Sequence, residues 1–150
     1  GQVPSDYARQ PYNAYSASGD VEADVVFVNY GRAVDFEAVF AALGTRDAVR
    51  GKVVVARYGR GFRGNKAWNA QRHGAVACLL YSDPVDDGAD AARAHDSHTY
   101  PRGPYRPRDA VQRGSVWLGN GDPATPGFAA TADAPHLAAA ADLRNATLMR

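Results

Sequence analysis

Apolar positions along the chain fall into short runs separated by turn residues, and the spacing of those runs predicts the elements. Asp24-Val25-Val26-Phe27-Val28-Asn29-Tyr30 is β-branched and aromatic, as a strand requires, and Gly31 ends it. Phe36, Val39, Phe40 and Leu43 stand at i, i+3, i+4 and i+7, one face of an amphipathic helix that Asp35 opens and Gly44 closes. A second strand runs from Lys52 to Arg57 into a glycine-rich turn. Asn65 to His73 has helical character, Gly74 stops it, and 75 to 81 is a third strand. Three strands alternating with two helices predict an α/β (α+β) fold, with a parallel or mixed sheet covered by helices.

The alternation then stops. From Ser82 to Arg113 the chain carries six Asp, five Arg and four Pro with few apolar residues, which predicts a long exposed excursion. Val116-Trp117-Leu118 suits one more short strand, Gly119 to Gly127 is rich in turn residues, and 135 to 148 has an Ala-rich helical pattern. The first twenty residues, rich in Pro, Tyr, Ser and Gly, read as an extended lead-in, so regular structure is expected to begin at Asp24. A length of 150 residues supports one ordinary domain with its own core.

Seventeen basic and sixteen acidic residues leave a net charge of +1, which argues against a general nucleic-acid or membrane-surface binder. Fifteen of the seventeen bases are arginine, a bias that favours forked recognition of carboxylate or phosphate and that a GC-rich genome also produces. The single cysteine, Cys78, sits in an apolar run and reads as a core residue, so no disulfide framework or cysteine metal site is available. No stretch reaches eighteen apolar residues, and neither a membrane span nor a signal peptide is expected. Asn145-Ala146-Thr147 is a glycosylation sequon, meaningful if the parent passes through the secretory pathway.

The strongest chemical signal lies between Asp47 and Asp83. That interval holds no acidic residue, while Arg50, Lys52, Arg57, Arg60, Arg63, Lys66 and Arg72 are all cationic. A glycine turn that frees backbone N–H groups before a helix, flanked by arginines, suits an anion; the plain alternative is a tight turn with solvated arginines. Gly59-Arg60-Gly61-Phe62-Arg63-Gly64 also matches G-x-G-x-x-G, with Asp83 about twenty residues on, and so formally satisfies the dinucleotide fingerprint. The missing further β-α-β unit disfavours that reading. Asp83, Asp86, Asp87 and Asp90 do not fit an EF-hand, His95 and His98 lack a third zinc ligand, and no serine or cysteine has the surroundings of a nucleophile.

Several motifs in order, Val28-Asn29-Tyr30-Gly31-Arg32, 51 to 59, Phe62-Arg63-Gly64-Asn65-Lys66, Asn69-Ala70-Gln71, 80 to 84, Val111-Gln112-Arg113-Gly114 and 121 to 127, closely resemble a protease-associated domain. The resemblance is to the glutamate carboxypeptidase II and transferrin-receptor group, and it covers about residues 12 to 130 of a single domain. It implies a domain with a mixed β-sheet and flanking helices, of the swivelling β/β/α type, set in a larger zinc exopeptidase whose active-site funnel it covers. This chain is expected to be non-catalytic and to hold no cofactor itself. The two zinc ions of the parent belong to a separate peptidase domain.

By the same resemblance, Arg63 binds the α-carboxylate of a substrate with a C-terminal acidic residue, a single arginine aimed outward. Asn65 shares its motif, and Ser115 stands where relatives place an asparagine that contacts the substrate side chain. Thr125 and the backbone carbonyl of Phe128 map to part of a calcium site that only the peptidase domain would complete. The implied partners are the parent's own peptidase and dimerisation domains and a peptide, with no nucleic acid and no direct membrane contact, in a parent that can be a homodimer. The implied location is extracytoplasmic or lumenal, on a parent that can be a single-pass type II membrane protein. The competing readings are a protein-interaction module of a transferrin-receptor-like or sorting receptor and, behind it, a dinucleotide-binding domain.

Overall fold

The computed structural model describes residues 11–86, 100–106, 112–121, 124–125 and 127–137. Asp87, Asp90, His95, His98, Val111, Asn145 and all but the first three positions of the expected helix at 135 to 148 lie outside them. The elements in chain order are β1 (Asn13–Ala14), β2 (Val25–Phe27), α1 (Ala33–Leu43), β3 (Val53–Arg57), α2 (Arg63–Arg72), β4 (Ala77–Tyr81) and β5 (Gly114–Ser115).

β2, β3 and β4 form one parallel sheet in that order, with Val25 opposite Val53 and Val53 opposite Ala77. Helices cross between the strands, as the alternating pattern predicts. Side chains alternate across the sheet. Val26, Val54, Cys78, Ala56 and Leu80 turn to the core with Val28, and Phe36 and Phe40 of α1 and Ala70 of α2 close it from that side. On the other face Val25, Phe27 and Leu79 are exposed. Leu43, expected on the buried face of α1, is exposed in its last turn. Cys78 is a core thiol whose pKa burial pushes up to about 11, so it stays protonated and unreactive.

The expectation that regular structure starts at Asp24 is corrected. Asn13 and Ala14 form β1, parallel to Gly114 and Ser115. A two-residue ladder offers no periodicity to read, and its partner lies about one hundred residues away. The last strand is likewise centred on Gly114–Ser115, just before the expected Val116–Leu118, although the Val116 N–H still bonds to the Ala14 carbonyl at 3.0 Å.

His73, at the end of α2, ties the two helices together. Its ring stacks on Phe36 with centroids 5.1 Å apart and meets Phe40 edge-on at 4.9 Å. Burial, aided by Arg72, lowers its pKa from the ordinary 6.5. The unfolded chain therefore binds this proton more readily than the folded one. Stability should be full above pH 6.5 and fall as pH drops through the folded pKa. Asp35, the buried carboxylate, titrates below 3.8 and leaves that window to the histidine. Thermal melts from pH 8 to pH 5 should show the loss, and His73→Phe should flatten it.

Candidate functional site

The carboxyl ends of β2, β3 and β4 feed loops that a polar network holds in place. Asp35 is buried and accepts from the Arg32 backbone N–H at 3.0 Å, Arg32 Nε at 2.9 Å, Arg32 Nη2 at 3.1 Å and Asn29 Nδ2 at 2.9 Å. Burial pushes its pKa up, but these hydrogen bonds outweigh that and hold it below 3.8. Asn29 in turn accepts from Arg57 Nε at 3.0 Å, and Arg57 Nη1 reaches Asp83 at 3.4 Å and Asp86 at 3.6 Å. Asp86 also accepts from the Tyr30 hydroxyl at 2.6 Å. Asp83 and Asp86, from the acid-rich excursion, thus neutralise a strand arginine.

Lys66 is buried within this network. Its ammonium donates to the Tyr30 carbonyl and to the Gly59 carbonyl at 2.6 Å, and it lies 5.8 Å from the Tyr30 ring centre. Arg32, Arg57 and Arg60 gather at the same ring, at 5.6, 4.5 and 5.0 Å. Three of the seven cations of the 50–72 stretch are satisfied internally: Arg50 pairs with Asp47 at 2.7 Å, Arg57 with the two aspartates, and Lys66 with carbonyls.

Lys52, Arg60, Arg63 and Arg72 have no ion pair among the described residues, and of these Arg63 has an enclosed guanidinium nitrogen. Arg63 is the first residue of α2, after Phe62 as cap, and the first turn of that helix has no acidic residue. A cation there opposes the helix dipole, by about 0.3–1 kcal/mol. Arg63 is half-buried and makes no ion pair among the described residues. Its Nε is fully enclosed with no hydrogen-bond partner, a defect that costs about 1–3 kcal/mol. The Arg63 side chain is thus held against its neighbours at Nε, and Gly114 lies against its Nη2 and Cζ as well.

The glycine turn explains this packing. Gly59 and Gly61 have φ of +96° and +150°, backbone that side chains resist. Gly64 serves differently. A Cβ there would lie 2.6 Å from the Val116 carbonyl oxygen and overlap the Phe62 ring, so its absence lets the β5 strand lie directly on the first turn of α2. Gly64→Val should cost about 1–3 kcal/mol by denaturant unfolding, since backbone and ring would both have to shift.

Ser115 comes beside Arg63 through its neighbour Gly114, which touches the guanidinium, and Ser115 Oγ accepts the Trp117 N–H at 2.9 Å. Asn65 is exposed two residues along α2, where i and i+2 do not share a face, so it is not brought to Arg63. Thr125 is buried and Phe128 half-exposed; a Cβ on Gly121 (φ +72°) would overlap the carbonyl oxygens of both. Two converging carbonyls fit part of a calcium shell of six to eight oxygens. The described residues hold no cluster of three or more His, Cys, Asp or Glu that could complete it or hold zinc. No helix among them is long and apolar enough to cross a membrane.

Sequence comparison adds independent information. Residues 12–116 match the family model described as PA domain. The chain is 42% identical over 123 residues to a glutamate carboxypeptidase 2 homolog of Caenorhabditis briggsae, covering 80% of this chain and 15% of the relative. It is 38% identical over 128 residues to the aminopeptidase NAALADL1 of Rattus norvegicus, covering 84% and 16%. It is 34% identical over 131 residues to vacuolar protein sorting-associated protein 70 of Saccharomyces cerevisiae, covering 83% and 16%. The chain thus spans about one sixth of the length of these relatives.

Proposed function

Because the chain belongs to the PA domain family, of the kind found in glutamate carboxypeptidase-like proteins, we propose that it is the non-catalytic domain that covers the active site of a zinc exopeptidase and binds the carboxylate of a peptide substrate. The observation that carries this is the half-buried Arg63, without an ion pair, at the start of a helix whose one other buried cation, Lys66, is satisfied by carbonyls. An unpaired guanidinium by a helix N-terminus gains most from an oxyanion, and its fork matches a carboxylate bidentately. In this reading Ser115 borders the pocket for the substrate side chain.

The peptidase domain would supply the two zinc ions and the chemistry, and its carboxylates would join the Thr125 and Phe128 carbonyls around calcium. The isolated chain should then bind calcium no better than millimolar, by calorimetry. In the same reading the parent is an extracytoplasmic or lumenal protein.

The test uses the substrate. Kinetics of the parent enzyme on a peptide with a free C-terminal glutamate and on the same peptide amidated should show a KM increase of at least tenfold for the amide. Equal KM values would sink the reading. The sorting-protein relative supports a second reading, a protein-binding module without zinc chemistry. Zinc ligands of the His, Asp and Glu type in the rest of the parent's sequence separate the two: their presence favours the peptidase, their absence the receptor.

A further inference from the structure

Resting on the assignment of Arg63 to a substrate carboxylate, we propose that Phe62 and Gly114 are positioning residues, a clamp that aims the guanidinium and thereby sets the affinity for that carboxylate. The Arg63 Cζ lies 5.2 Å from the Phe62 ring centre, stacked on the cap residue of its own helix. From β5, Gly114 presses on the same group: a Cβ built there would overlap Arg63 Nη2, Cζ and Nε together. No other residue type could occupy position 114 without moving the guanidinium.

The enclosed, unpartnered Nε fits this role. A buried donor without an acceptor calls for an explanation, and here close packing has displaced hydrogen bonding on the Nε edge. What the packing provides is orientation. A free arginine loses rotamer freedom when a ligand docks, whereas a guanidinium already held in one plane loses little. With the Nε edge closed, Nη1 and Nη2 remain as the end that meets the carboxylate. Gly114 is itself placed by the β1–β5 ladder, opposite Asn13, so the N-terminal segment contributes to the geometry of the site.

The experiment is steady-state kinetics on the full-length parent enzyme with a C-terminal glutamate peptide, comparing Gly114→Ala, Arg63→Ala and the double variant, with active sites titrated. Gly114→Ala should raise KM at least tenfold with kcat within twofold, and should add no further increase when Arg63 is already alanine. A purely structural role would reduce the titrated active fraction and leave KM unchanged. Should Gly114→Ala not fold, Phe62→Leu tests the other jaw and should also raise KM, with Phe62→Tyr, which keeps the ring, recovering most of the lost affinity. An unchanged KM in both Gly114→Ala and Phe62→Leu, with Arg63→Ala still impaired, overturns the clamp and leaves the carboxylate reading standing. An unchanged KM in Arg63→Ala overturns the carboxylate reading and the clamp with it.

Discussion

Lys66→Ala is expected to lower the melting temperature of this chain by on the order of 10 °C, the largest loss from any single side chain outside the apolar core. Two effects add. The substitution removes a fully buried four-carbon stem, leaving a cavity, and it strips the Tyr30 and Gly59 carbonyls of the ammonium that both accept from. Cavity and orphaned acceptor together are worth about 3–5 kcal/mol. Lys66→Met separates them. It keeps most of the volume and relieves the desolvation that lowers the Lys66 pKa, while still leaving the Tyr30 carbonyl unpaired, so about 1–3 kcal/mol of loss should remain. A melting temperature for Lys66→Ala within 2 °C of the unsubstituted chain would show that the buried ammonium stabilises nothing.

The second large effect concerns recognition. Arg63→Ala in the parent enzyme should raise KM for C-terminal acidic peptides by about 30- to 700-fold, corresponding to about 2–4 kcal/mol for one bidentate, partly desolvated carboxylate pair. The kcat should change little, because the contact is made equally in ground and transition states. Arg63→Lys should recover only part of the loss, since an ammonium replaces the fork by a point charge and cannot fill the space between Phe62 and Gly114. Arg63→Ala should unfold no earlier than the unsubstituted chain. Its removal eliminates an unpaired buried donor and a cation at a helix N-terminus, both of which oppose folding. A KM unchanged by Arg63→Ala, or a loss of kcat alone, would end the assignment.

Much of the fold was legible in the chain itself. The strand at 53–57, the helix closed by Gly44 and the strand at 77–81 follow from β-branched runs, a 3.6-residue period and glycine stops, all local signals. The family too was legible, because its motifs recur in order across most of the chain, and the PA domain match over residues 12–116 bears that out. The β1–β5 ladder was not. Its residues, Asn13-Ala14 and Gly114-Ser115, have no strand propensity, and only pairing across the molecule makes them strands. Phe62 and Gly114 were equally silent, since nothing in a glycine or a phenylalanine announces that an arginine lies against it.

The site divides in the same way. The sequence by itself determined that seven cations and no acid occupy the stretch between Asp47 and Asp83 and that three glycines turn the chain there into a helix, a pattern that suits an anion and equally a tight turn with solvated arginines. It did not determine which of those cations are already paired. Arg57 is neutralised by Asp83, 26 residues away, and held by Asn29, 28 residues away, while Tyr30 is fixed by Asp86 across 56 residues. Whether a charge is satisfied depends on distance through space, which sequence order does not encode. Only the tertiary structure, by bringing strand ends and loops together, satisfies Arg57 and Lys66 and leaves Arg63 packed with no ion pair among the described residues.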